Sequence, residues 1–339
     1  MALNGYVVLS AFFSVLGLAT AVATVGLATS TLLRMRLTAW RGEQHVEDRV
    51  YLTIQLTYAL LGLTLASWIV LYLLLETFVP LWPGAMCIYG ITQIGEGSRG
   101  VTGWLPSLVI AMQAMKPLVA FAAGAALVLY RLYRRSGVSE LLPRVLCALL
   151  VVALLGTVSS AAELAYLSIP KLDIPVNSGC CSAAAVDADA IAPPSSDERW
   201  LTPVYYGCHL LMAWLLWPRR GQAGGLIAYG RLAAGLLLSL LTLVVAGRFV
   251  VDVAAPALLH LPYHHCLYDL VADVPESGVA LGLLLWGTCC VGWACVAGWL
   301  GRSAATEALV AAEARHWQSC AMLGYLGTAA MFSVELWLA

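Results

Sequence analysis

Residues 145–169 read VLCALLVVALLGTVSSAAELAYLSI, with Glu163 as their only charged side chain. A helix crosses the hydrocarbon layer of a bilayer with about 20 predominantly apolar residues, and this run is longer. A barrel strand would alternate apolar and polar side chains over about 10 residues. This run does not alternate, so it reads as a transmembrane helix. Similar segments recur on both sides of it, at about 6–33, 51–78, 106–130, 201–217, 227–252, 278–300 and 318–338. The sequence therefore predicts an all-α polytopic integral membrane protein of about eight transmembrane helices. All of 1–339 belongs to a single transmembrane domain. The segment 201–217 is short for a span, so it extends outward or stands upright in a thin bilayer.

Composition points the same way. The chain is 61% hydrophobic and 11% charged, with a mean hydropathy of +0.85, whereas a soluble domain carries about 25% charged residues. A net charge of −1 gives no basis for nucleic-acid binding. The lipid bilayer is the first expected partner, because backbone polar groups in hydrocarbon must be satisfied within helices. The start, MALNGYVVLS, lacks a basic region and leads into a run too long for a signal peptide, so the first helix is expected to be retained.

Arginine sets the orientation. Thirteen arginines fall in one set of loops, from Arg34 and Arg36 to Arg302 and Arg315. The opposite loops hold Arg99, Lys171 and Arg199. The basic loops face inward, which puts both termini outside. The expected location is a bacterial inner membrane with the loops near 79–105, 167–200 and 253–277 in the periplasm. Four acids lie near the outer ends of the outward-going helices: Glu76, Glu163, Asp252 and Glu335, at spacings of 87, 89 and 83 residues. The first three are followed by two prolines and a cysteine, the third cysteine being Cys266. This pattern suggests four related helical hairpins, 1–90, 91–185, 186–270 and 271–339.

The outer loops concentrate soft ligands. Residues 259–269, LHLPYHHCLYD, hold His264, His265 and Cys266, with Cys87 and the adjacent Cys180 and Cys181 in the other loops. Thiolates and imidazoles favour monovalent copper or zinc. One reading is thus a non-enzymatic protein that binds or passes a soft metal, copper foremost, to a periplasmic metalloprotein. Asp269 would then orient an imidazole. Structural zinc modules show paired C-x-x-C or H-x-x-x-H spacing, which these residues lack. In an oxidising compartment the same four cysteines also suit disulfides, Cys180 and Cys181 pairing separately with Cys87 and Cys266. A second reading is a redox or respiratory subunit, with outward cysteines carrying electrons and intramembrane acids carrying protons. A third is a transport or structural subunit, associated with other membrane subunits, whose outer loops are stapled. No residue is assigned a catalytic role.

Ionisable groups within spans form the other candidate set. They are costly in hydrocarbon and face a protein interior or a water-filled cavity. Glu163 is expected to lie deepest. Lys116 has no local acid and needs a partner from another helix, Glu163 by position. Arg248 and Asp252 share a helix face at i,i+4 and can pair. His209, in YYGCHLL, is a proton relay or an axial haem ligand, although no other span supplies the second histidine that the common haem arrangement needs. These groups are either a proton or ion path or ion pairs that fix helix register.

Overall fold

The computed structural model describes residues 4–37, 44–82, 85, 87–95, 98, 100–171, 196–217, 226–261, 265–303 and 305–339. Among them there is no strand, and eight helices are long. They are α1 (Gly5–Leu37), α2 (Gln44–Phe78), α4 (Leu105–Ser136), α5 (Leu141–Ser168), α6 (Ser196–Leu216), α7 (Leu226–Phe249), α10 (Pro275–Leu300) and α11 (Glu307–Leu338). Seven helices among the described residues are long and apolar enough to cross a membrane, α6 being the long helix outside that set. Several helices overrun the apolar segments. α11 starts at Glu307 rather than near 318, because EALVAAEARHW is rich in good helix formers and continues the helix beyond the hydrocarbon-facing part.

Three short helices escape any hydropathy reading. These are α3 (Ile88–Thr92), α8 (Ala255–Leu258) and α9 (Leu267–Asp273). Cys87 stands at the N-cap of α3 and Cys266 at the N-cap of α9, each in an extended backbone conformation.

The chain divides into two compact units, Met1–Ser178 and Gly179–Ala339. In the first, α1 packs on α2, α2 on α4, α4 on α5, and α5 back on α1. In the second, α6 packs on α7, α7 on α10, α10 on α11, and α11 back on α6. Each unit is thus a ring of four long helices. In each, the second long helix is followed by a short helix that begins after a cysteine.

Helices in lipid gain nothing from burying apolar side chains against each other, so close approach through small residues drives their association. α1 shows the result. Its buried face is Ser10, Ser14, Gly17, Ala21, Thr24, Ala28 and Thr31, while Val8, Phe12, Val15 and Val22 point outward. A Cβ at Gly17 would lie 2.8 Å from Ser160 Oγ of α5. The hydroxyls on this face are satisfied within the helix: Ser14 Oγ donates to Ser10 O at 2.8 Å and Thr24 Oγ1 to Thr20 O at 2.7 Å. In the second unit α10 and α11 cross even more closely, at Gly287 and Gly324. Thr328 Oγ1 of α11 shares its proton between Gly324 O of its own helix, at 2.9 Å, and Ala280 O across this crossing, at 3.1 Å.

Candidate functional site

Four helices of the first unit converge on one buried ion pair. Lys116 Nζ of α4 lies 2.8 Å from Glu163 Oε2 of α5, and the two side chains are only 1% and 2% exposed. Lys116 Nζ also donates to Ser67 Oγ of α2 at 2.7 Å. Ser67 passes its own proton to Thr64 O at 3.0 Å, which leaves a lone pair for the ammonium. Ser10 of α1 donates to Glu163 Oε1, so both carboxylate oxygens are engaged. Glu163 sits about 8 Å along the axis from the end of α5 at Ser168. The α1 stripe of small residues is what lets α5 bring the carboxylate this close to Ser10. Just past α5, Lys171 Nζ closes the helix end by donating to Tyr166 O at 2.6 Å and Ile169 O at 3.1 Å. It also lies 4.2 Å above the centre of the Tyr166 ring. Burial pulls its pKa down to about 8.

The other acids are in different surroundings. Glu76 is exposed and Glu335 is half-buried in the last turn of α11. Asp252 Oδ2 is 2.7 Å from Arg248 Nη2, whose side chain is 72% exposed. Glu163 alone among the four acids is enclosed.

His209 lies in the second unit, on α6, and is fully buried. Its Nδ1 is 2.8 Å from Tyr205 O, which can only accept, so Nδ1 carries the proton. Nε2 then presents a lone pair, and among the described residues neither it nor the Tyr205 hydroxyl meets a hydrogen-bonding partner. The surroundings are aromatic. Tyr205 stacks on Phe249 with ring centres 3.9 Å apart, and Phe332 and Tyr325 meet the cluster edge-on.

The soft ligands are distributed over both units. Cys87 belongs to the first and His265 and Cys266 to the second; His264, Cys180 and Cys181 lie outside the described residues. Cys87 and Cys266 are both buried. Cys266 Sγ and an Asp269 carboxylate oxygen are within 4.8 Å of each other, one turn apart on α9. His265 is exposed, and its place has a specific cause. The end of α7 widens into a π turn over Val250–Ala254, where Ala255 N donates to Val250 O. The next carbonyl, Val251 O, would take its i+5 donor from residue 256, which is proline and has no N–H. His265 Nδ1 fills this vacancy, donating to Val251 O at 3.0 Å. That fixes the tautomer and leaves Nε2 as the ring nitrogen with the lone pair, the atom through which this imidazole could hold a metal. His265→Ala is expected to cost about 0.5–1.5 kcal/mol of unfolding free energy, the usual worth of one such bond. His265→Asn, whose Nδ2 can reach the same carbonyl, is expected to restore most of it in denaturant titration.

No protein-family model, curated protein or solved structure matches this chain.

Two parts of the site had no role in the sequence reading. Ser10 and Ser67 looked like ordinary small residues of apolar segments. The available signal was the 4-3-4-3 spacing of small and hydroxyl residues along α1, which marks its packed face. Tyr205 gave no signal apart from its position one turn before His209.

Proposed function

We propose that the protein is a proton-handling membrane subunit, of the transport or respiratory kind, with Lys116 and Glu163 as its exchange site. The observation that supports this is a charged pair fully enclosed within membrane-spanning helices, with hydroxyls on both sides. A buried ion pair is a poor stabiliser, because desolvation offsets the attraction. Its retention in hydrocarbon fits a function better than a structural role. Protonation of Glu163 removes the counter-charge of Lys116, and the ammonium then releases a proton or draws in another anion. Ser10 and Ser67 hold the two groups in place between these states. The excess of arginine in one set of loops supports a bacterial inner membrane with both termini on the periplasmic side.

Proteoliposomes with an imposed membrane potential and an internal pH dye provide the test. The unmodified chain is expected to pass protons, and K116M/E163L to lose at least about tenfold of the rate, the equivalent of one lost charge-assisted contact. Equal rates in the two, or no proton movement in the unmodified chain, would overturn the reading.

A second reading is handling of a soft metal, copper first, at the outer surface for a periplasmic metalloprotein. It is favoured by the lone pair left on Nε2 of His265, next in sequence to Cys266, with Asp269 one turn further on. His264, Cys180 and Cys181 would complete the ligand set. Copper(I) titration under anaerobic conditions checks it. H265N/C266S is expected to lose the bound ion, and unchanged stoichiometry in that variant would rule the site out.

A further inference from the structure

The end of the first unit remote from Glu163 carries a cleft of about 300 Å³. Its walls come from the start of α2, the end of α4 and the start of α5. Glu47 and Asp48 stand on α2, Tyr130, Tyr133 and Arg134 on α4, and Tyr51 on the next turn of α2. Leu142 closes the α5 side, roughly 30 Å along that helix from Glu163 and so about one hydrocarbon thickness away. The cleft therefore sits at a bilayer boundary, where lipid headgroups lie.

Its chemistry has two signs. Two carboxylates and three tyrosine rings meet in one concavity. The rings of Tyr130 and Tyr133 have centres 6.4 Å apart. Aromatic faces beside carboxylates attract ammonium groups, through the ring quadrupole as well as the charge. Arg134 supplies the opposite charge, in a fork shaped for phosphate oxygens. Among the described residues, Glu47, Asp48 and Arg134 form no ion pair. Solvated acids alone would need neither the concavity nor the rings. A free amine would leave Arg134 unused, and an anionic lipid would meet two carboxylates.

We propose that this cleft binds the headgroup of a zwitterionic phospholipid, its ammonium among Glu47, Asp48 and the tyrosine faces and its phosphate on Arg134. Such a lipid would be held at the face opposite the ion pair, and it brings both charges on one short linker at the depth where the cleft opens. The assignment is independent of the proton-handling reading and uses none of its residues.

Native mass spectrometry of the full chain in detergent, titrated with phosphatidylethanolamine, phosphatidylglycerol or free ethanolamine, tests this. Phosphatidylethanolamine is expected to bind about tenfold tighter than phosphatidylglycerol, the scale of one charge-assisted contact. In E47Q/D48N that preference should fall towards unity, and R134Q should weaken both lipids. Glu47 and Asp48 are exposed, so the double variant is expected to fold normally, which its thermal midpoint will show. Three results would each overturn the proposal. They are no preference in the unmodified chain, a preference that survives E47Q/D48N, and displacement of the lipid by an equal concentration of free ethanolamine. The last would reassign the cleft to a soluble amine.

Discussion

Removing either partner of the Lys116–Glu163 pair is expected to cost about 3–5 kcal/mol of unfolding free energy, whereas removing both should cost far less. Among the described residues, K116M leaves the Glu163 carboxylate with the Ser10 hydroxyl alone, and E163L leaves the Lys116 ammonium with Ser67 alone. Each is then an uncompensated charge in a site that is 1–2% exposed. K116M/E163L replaces both charges by apolar side chains of similar length, and such exchanges are neutral or stabilising by about 1–4 kcal/mol. The expected outcome is a double-mutant cycle with a coupling energy of several kcal/mol, larger than the ~0.5–3 kcal/mol common for contacting residues. Reversible unfolding in mixed micelles measures it. Additive single-mutant losses would mean that the two groups do not act as a pair. The stable double variant also serves the functional test, because a lost proton flux in it cannot be ascribed to lost folding.

The second large effect is expected at Gly324. A Cβ there would stand 2.8 Å from Leu283 O and 2.9 Å from Gly287 Cα, both backbone atoms of α10 that cannot rotate away. G324A therefore has to part α10 and α11, and overpacking of this kind costs about 1–3 kcal/mol. The crossing also carries the Thr328-to-Ala280 bond, which would lengthen with it. Gly26 of α1 is the internal control, since a Cβ there meets nothing within 4 Å. G26A should be stabilising by up to about 1 kcal/mol through helix propensity alone. Thermal midpoints in one detergent compare the two. A G324A midpoint at or above that of the unmodified chain would overturn this expectation.

The candidate sites were unequally legible. The cost of a charge in hydrocarbon made Glu163 and Lys116 visible in the sequence, each as a lone charge in a long apolar run. The same logic marked Glu76, Asp252 and Glu335 but placed them nearer the interface than Glu163, and their surroundings differ because each lies near a helix end where water or Arg248 is within reach. His265 stood out as one of a histidine pair beside a cysteine. Its bond to Val251 O depends on a π turn, and hydropathy carries no trace of that turn. The proline at 256 was read as half of a Pro-Pro-Cys pattern, not as the missing donor that gives His265 its place.

By itself the sequence determined that the chain is an all-α membrane protein and where its long apolar helices cross, though not their ends or the three short helices. Insertion of a helix into hydrocarbon depends on its own residues, and each long apolar run carries that information locally. Tertiary structure decided the grouping of eight long helices into two rings, the meeting of Ser10, Ser67, Lys116 and Glu163, and the close crossing at Gly324. Inside a bilayer, helix association rests on small residues, hydroxyls and paired charges that each occupy a few positions. Such contacts join residues far apart in the chain, 47 apart for Lys116 and Glu163 and 153 apart for Ser10 and Glu163, and no local pattern encodes that distance.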